Sequence, residues 1–141
     1  MNERMYVLVR TDLASLNTGK LGAQTHHAAS AAANQYNVVN KRVANAPNQG
    51  MPSWLIHYPN WTEQTAQGFG TVITLAVPDE EELCHAVDIA IKFGYMANTV
   101  LDDTYPVADG KVTHLLPLIT CGYVLSPDGS PWFLSQFPLH P

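Results

Sequence analysis

Close to its start the chain carries five consecutive apolar residues, Met5 to Val9 (MYVLV), with no polar alternation. A strand of that kind is covered on both faces, which a sheet flanked by helices provides. The run stops at Arg10-Thr11-Asp12, and a loop through Asn17, Thr18 and Gly19 follows. Thr18 has the chemistry of an N-cap, and Gly19 and Lys20 then open a helix. The alanine-rich run that continues to about Tyr36 has strong helix propensity and small side chains that permit close packing.

The same alternation of element types continues down the chain. Thr71–Val77 (TVITLAV) is a second β-branched strand. Pro78 and the acids 79–82 start a helix, with Asp79 as N-cap and Glu82 at the capping-box position. Leu83, Val87 and Ala90 or Ile91 recur at helical spacing and should face the sheet, and Gly94 suits the helix end. Asn98–Leu101 is a third strand, ending at Asp102-Asp103. A turn through Pro106, Asp109 and Gly110 leads to a fourth, His114 to about Leu125. Helices between strands predict crossovers and a mostly parallel sheet, with only the last pair antiparallel. Residues 37–68, broken by Pro47, Gly50, Pro52 and Pro59, are expected to form an irregular insert anchored by Trp54, Ile56, Tyr58 and Trp61. With 141 residues the chain is expected to be one domain, 1–141.

Charge is unevenly placed. Residues 1–42 hold five cations against two acids, whereas residues 43–141 hold two cations against ten acids. The net charge of −5 excludes a generic basic nucleic-acid binder and leaves a local basic patch in the N-terminal third. The low charged fraction, 13%, beside 46% hydrophobic residues, argues against disorder. No apolar run reaches the roughly 18 residues of a membrane span. The charged start MNER before a short apolar run predicts no signal peptide, so the expected location is cytoplasmic. Cys84 and Cys121 have no metal or redox spacing and are expected to be reduced thiols; the histidines lack HxxxH or HExxH spacing, so no metal is expected.

Chemistry concentrates on the first helix. Lys20, Gln24 and His27 stand at i, i+4 and i+7 and share one face. A cation, an amide and an imidazole in a row are poor core material, and they suit holding a phosphate or carbonyl and moving a proton. In an open sheet, ligands collect beyond the carboxyl ends of parallel strands. Such an arrangement brings Lys20, His27 and Asp102 toward one cleft.

These residues are also those of a family. Arg10-Thr11-Asp12-Leu13, followed by Gly19-Lys20-Leu21, Ala23-Gln24 and His27-Ala28-Ala29, resembles the opening of the type 2 peptidyl-tRNA hydrolases. The resemblance covers about residues 5–36 and 70–125. It implies a three-layer α/β/α sandwich with a four-stranded mixed sheet. It also implies hydrolysis of the ester between a peptide and the tRNA 3′ end, with tRNA as partner, no cofactor and a homodimer. By motif, the family lysine matches Lys20, its glutamine Gln24, its histidine His27 and its aspartate Asp102, which follows Gly94 at the family distance. Its fourth-strand threonine matches Thr113, with Gly110 as the turn glycine. The usual Asp-Ala-Gly-x-Thr continuation is here Asp102-Asp103-Thr104-Tyr105-Pro106, with Asp103 as the register alternative and Thr104 as a spatial substitute. In the scheme this implies, Asp102 or His27 is the general base, and Lys20 and Thr113 stabilise an oxyanion or phosphate. Arg10 and Lys20 contact the tRNA backbone. The alternative is a binding or regulatory module that kept the fold without the chemistry, favoured by the altered motif and the acidic charge.

Overall fold

A computed structural model describes residues 2–141. It contains β1 (Arg4–Arg10), α1 (Thr18–Asn45), α2 (His57–Thr62), β2 (Val72–Val77), α3 (Glu80–Lys92), β3 (Met96–Asp109) and β4 (Val112–Ser126), with 3-10 turns at Pro47–Gln49, Ser53–Ile56 and Trp132–Leu134. The four strands form one mixed sheet in the order β2-β1-β4-β3.

Only β1 and β2 pair in parallel; β4 is antiparallel to both β1 and β3. The expectation of a mostly parallel sheet is therefore wrong, for a topological reason. The three strands joined through helices do point the same way. The last strand, returning from β3 by a hairpin, inserts between β1 and β3 and separates them, so two of the three pairings become antiparallel.

Strand β1 has the two covered faces its sequence calls for. Met5, Val7 and Val9 pack with Ala28 and Ala32 of α1 and with Trp61, Cys121 and Tyr123. Tyr6 and Leu8 point the other way and pack with Leu83, Ala86, Val87 and Ala90 of α3 and with Phe133 and Phe137 of the tail. The alanines of α1 let its backbone approach the sheet closely. The tail locks down by main-chain bonds to β2, Ala76 N–H to Pro138 O and His140 N–H to Thr74 O, both 2.9 Å.

Element ends follow local chemistry. The N-cap of α1 is Asn17, not Thr18: the Asn17 side-chain oxygen accepts from Lys20 N–H at 3.1 Å. The helix runs on to Asn45 instead of ending near Tyr36, because no glycine or proline intervenes before Pro47. The irregular insert thus begins after the helix, at residue 46. It packs through Trp61, whose indole N–H donates to Thr71 O at 2.8 Å, and through the Tyr36–Tyr58 stack. Asp79 caps α3 as expected, accepting from Glu82 N–H at 2.9 Å. At its far end Gly94 takes φ 86°, and the Tyr95 N–H reaches Ala90 O at 2.9 Å in a Schellman closure.

The largest difference from expectation is the β3–β4 hairpin. Asp102, Asp103 and Pro106 lie inside β3, and only the residues around Gly110, φ 62°, form the turn. Acids and proline are weak strand formers, but β3 is an edge strand, where a proline without an N–H is tolerated.

Candidate functional site

The two register breaks of the hairpin set up the site. Between Val100 and Leu101 the partner residue jumps from Cys121 to Ile119, so Thr120 is the extra residue on β4. Between Asp102 and Tyr105 the partner moves only from Leu118 to Leu116, so β3 has its own extra residue at Asp103-Thr104. Bulges re-aim side chains. Here they turn Asp102 and Thr120 toward the face of α1 that carries Gln24.

Gln24 is buried at 3% exposure, and both ends of its amide are used. Its Nε2 donates to Asp102 Oδ2 at 2.9 Å, and its Oε1 accepts from the fully buried Thr120 hydroxyl. Cys121 Sγ–H reaches the Gln24 backbone oxygen at 3.5 Å, and burial pushes this thiol up to about 12, which makes it an inert packing group. Asp102 Oδ1 accepts from Thr104 N–H at 3.1 Å. His27, one turn beyond Gln24, places Nε2 at 4.0 Å from Asp102 Oδ2, with its ring half exposed. Burial tends to raise the Asp102 carboxyl. The Gln24 and Thr104 hydrogen bonds and the charge of His27 outweigh it, and the group sits below the ordinary carboxylate range. His27, Asp102 and Asp103 open onto a cleft of about 280 Å³ between α1 and β3.

The other sequence-derived residues are distributed around this core. Lys20 lies one turn before Gln24, with its ammonium 5.3 Å from the Tyr105 ring centre and 3.5 Å from Pro106 O. It makes no ion pair with Asp102 among the described residues. Asp103 and Thr104 are exposed beside the cleft. Arg10 is 8% exposed and engaged at all three nitrogens: Nε and one terminal nitrogen with the Asp12 carboxylate, both at 2.9 Å, and the other with Ile119 O at 2.8 Å. Thr113 pairs across the hairpin with Ala108, next to the turn, and is not brought to the Gln24–Asp102 cluster. The threonine in contact with that cluster is Thr120. Its signal in the sequence is a hydroxyl residue within the apolar run Leu118–Val124. Among the described residues no three His, Cys, Asp or Glu side chains converge on a metal position.

Thr120→Val keeps the shape and removes the hydroxyl, leaving the Gln24 oxygen unpaired in the interior. The expected cost is about 1–3 kcal/mol of stability. Urea unfolding checks it, and an unchanged midpoint would deny the Thr120–Gln24 bond a structural role.

An ionised carboxylate held by an amide, with an imidazole beside it at the mouth of a cleft, is an arrangement suited to acid–base chemistry in a small α/β protein. The chain belongs to the peptidyl-tRNA hydrolase PTH2 family, whose model matches residues 3–116. That span carries Lys20, Gln24, His27 and Asp102 and ends before Thr120. Among curated proteins none matches the chain.

Proposed function

We propose that this protein hydrolyses the ester linking a peptide to the 3′ end of tRNA, releasing free tRNA and peptide. The observation that carries this reading is the chain Thr120–Gln24–Asp102–His27, built by two bulges within and beside the family-matched segment. Asp102, held below the ordinary carboxylate range, is a weak proton acceptor but a lasting negative charge. His27 therefore takes the proton, and the Asp102 charge, 4.0 Å from Nε2, stabilises its charged form. Water loses a proton to His27 and attacks the ester carbonyl. The tetrahedral oxyanion is stabilised by the Lys20 ammonium. The bond to the ribose oxygen then breaks, and His27 returns the proton to that oxygen.

In the same proposal Lys20 is the phosphate contact, and Arg10, fully engaged with Asp12 and Ile119, holds the end of β1 in place. Work in the cytoplasm and assembly as a homodimer belong to this proposal as well. No helix among the described residues is long and apolar enough to cross a membrane.

Release of tRNA from purified peptidyl-tRNA tests the reading. The expected result is turnover that weakens as salt rises, because phosphate contacts release counterions. A well-folded protein that releases no tRNA would instead support a binding module.

A further inference from the structure

The cleft at Asp102 has a neighbour along the same two elements. Along α1, Gln24, His27, Ala31 and Gln35 follow helical spacing on one stripe, and along β3, Asn98, Val100 and Asp102 share one face. The upper part of this α1–β3 groove is lined by His27, Ala31, Val100 and Asp102. Next along the same two elements, one turn on in α1 and two residues back in β3, a second cleft of about 510 Å³ is lined by Gln35, Asn98, Trp54 and Tyr95. Trp54 and Tyr95 also line a neighbouring cavity of about 260 Å³, with Phe93, Trp132 and His57. Phe93 and Trp132 are 60% and 66% exposed, an unusual degree for two aromatics in edge-to-face contact. The ring of His57 is fixed by its Nδ1–H bond to the buried Glu3 carboxylate at 3.0 Å.

We infer that this groove holds the peptide portion of the substrate, leading away from the ester at Asp102 to an aromatic pocket at Trp54 and Trp132. The inference rests on the hydrolase reading and adds where the acyl side lies. Three observations favour a peptide as occupant. No lysine or arginine lines any part of the groove, so it offers nothing to a phosphate backbone, whereas Lys20 lies toward the hairpin side. Strand β3 is the sheet edge, paired with a strand on one side only, so the other side of its backbone is open to an extended chain. The length also fits: four residues of β3 separate Asp102 from Asn98, about 13 Å. The cleft at Asn98 and Trp54 therefore receives a side chain about four residues from the ester.

The test compares kcat/KM for N-acetyl-aminoacyl-tRNA with that for a pentapeptidyl-tRNA bearing phenylalanine at the fourth residue from the ester. Wild type is expected to favour the longer substrate by about tenfold or more. Trp54→Ala and the exposed-edge variant Asn98→Arg should each bring that ratio to near one. Equal rates on the two substrates, or a ratio that survives both variants, would overturn the inference while leaving the hydrolase reading standing. No turnover of either substrate would overturn both. Weaker binding of deacylated tRNA by Trp54→Ala would assign the aromatic pocket to a base and also overturn it.

Discussion

His27→Ala is expected to lower kcat/KM on peptidyl-tRNA by about 10²- to 10⁴-fold, the usual contribution of a positioned general base. The imidazole is half exposed, and its one polar approach within the site is the 4.0 Å contact with Asp102, so its loss removes little from the core. The variant should therefore fold normally, with an unfolding midpoint close to wild type. Measuring rate and midpoint on the same preparation separates a chemical role from a structural one. A large fall in both would make His27 a packing residue. The pH profile adds a second check. A carboxyl held below its ordinary value is ionised at all pH values above that range, so Asp102 should not limit the rate near neutrality; its contribution is lost only as pH falls through its lowered value.

Arg10→Ala should act in the opposite way, costing stability more than chemistry. The guanidinium is buried, pairs bidentately with Asp12 and caps the Ile119 carbonyl next to the Thr120 bulge. Removing one partner of a buried pair costs about 3–5 kcal/mol. Asp12 is 37% exposed, so solvent screening reduces the expected loss to roughly 2–3 kcal/mol. The loss should depend on pH with a definite sign. The Arg10 hydrogen bonds, working against burial, hold the Asp12 carboxyl below its usual range. Its stabilising contribution is complete above the unfolded carboxylate value and disappears as pH falls through the folded one. The gap between wild type and Arg10→Ala should therefore be widest near neutrality and narrow in acid. Denaturant unfolding at two pH values measures it. An unchanged midpoint, combined with a weaker salt dependence of KM, would return Arg10 to the tRNA interface.

The sequence was most legible where local chemistry decides structure. The MYVLV run announced a doubly covered strand, Asp79 and Glu82 announced the start of α3, and Gly94 announced its end. The shared helix face of Lys20, Gln24 and His27 followed from spacing alone. What escaped was set by tertiary context. The insertion of β4 between β1 and β3 depends on how a hairpin docks, which local pattern does not encode. The extension of β3 through Asp102, Asp103 and Pro106 runs against propensity and is permitted by its place at the sheet edge. Thr113 follows from the family motif, which aligns it behind the turn glycine Gly110, and Thr120 lies outside that motif. Once the strands are seen to continue to Val112, the threonine that meets Gln24 is the one at the bulge, and no rule of spacing locates a bulge.

The central claim is that the carboxylate held by Gln24 beside His27 is the centre of ester hydrolysis. Asp102→Asn tests it most directly, since asparagine keeps the size of the side chain, removes its charge and leaves one accepting oxygen in place of two. Single-turnover release of tRNA from peptidyl-tRNA should fall by about 10²-fold or more relative to wild type, with substrate binding retained. A variant that releases tRNA at the wild-type rate would contradict the account.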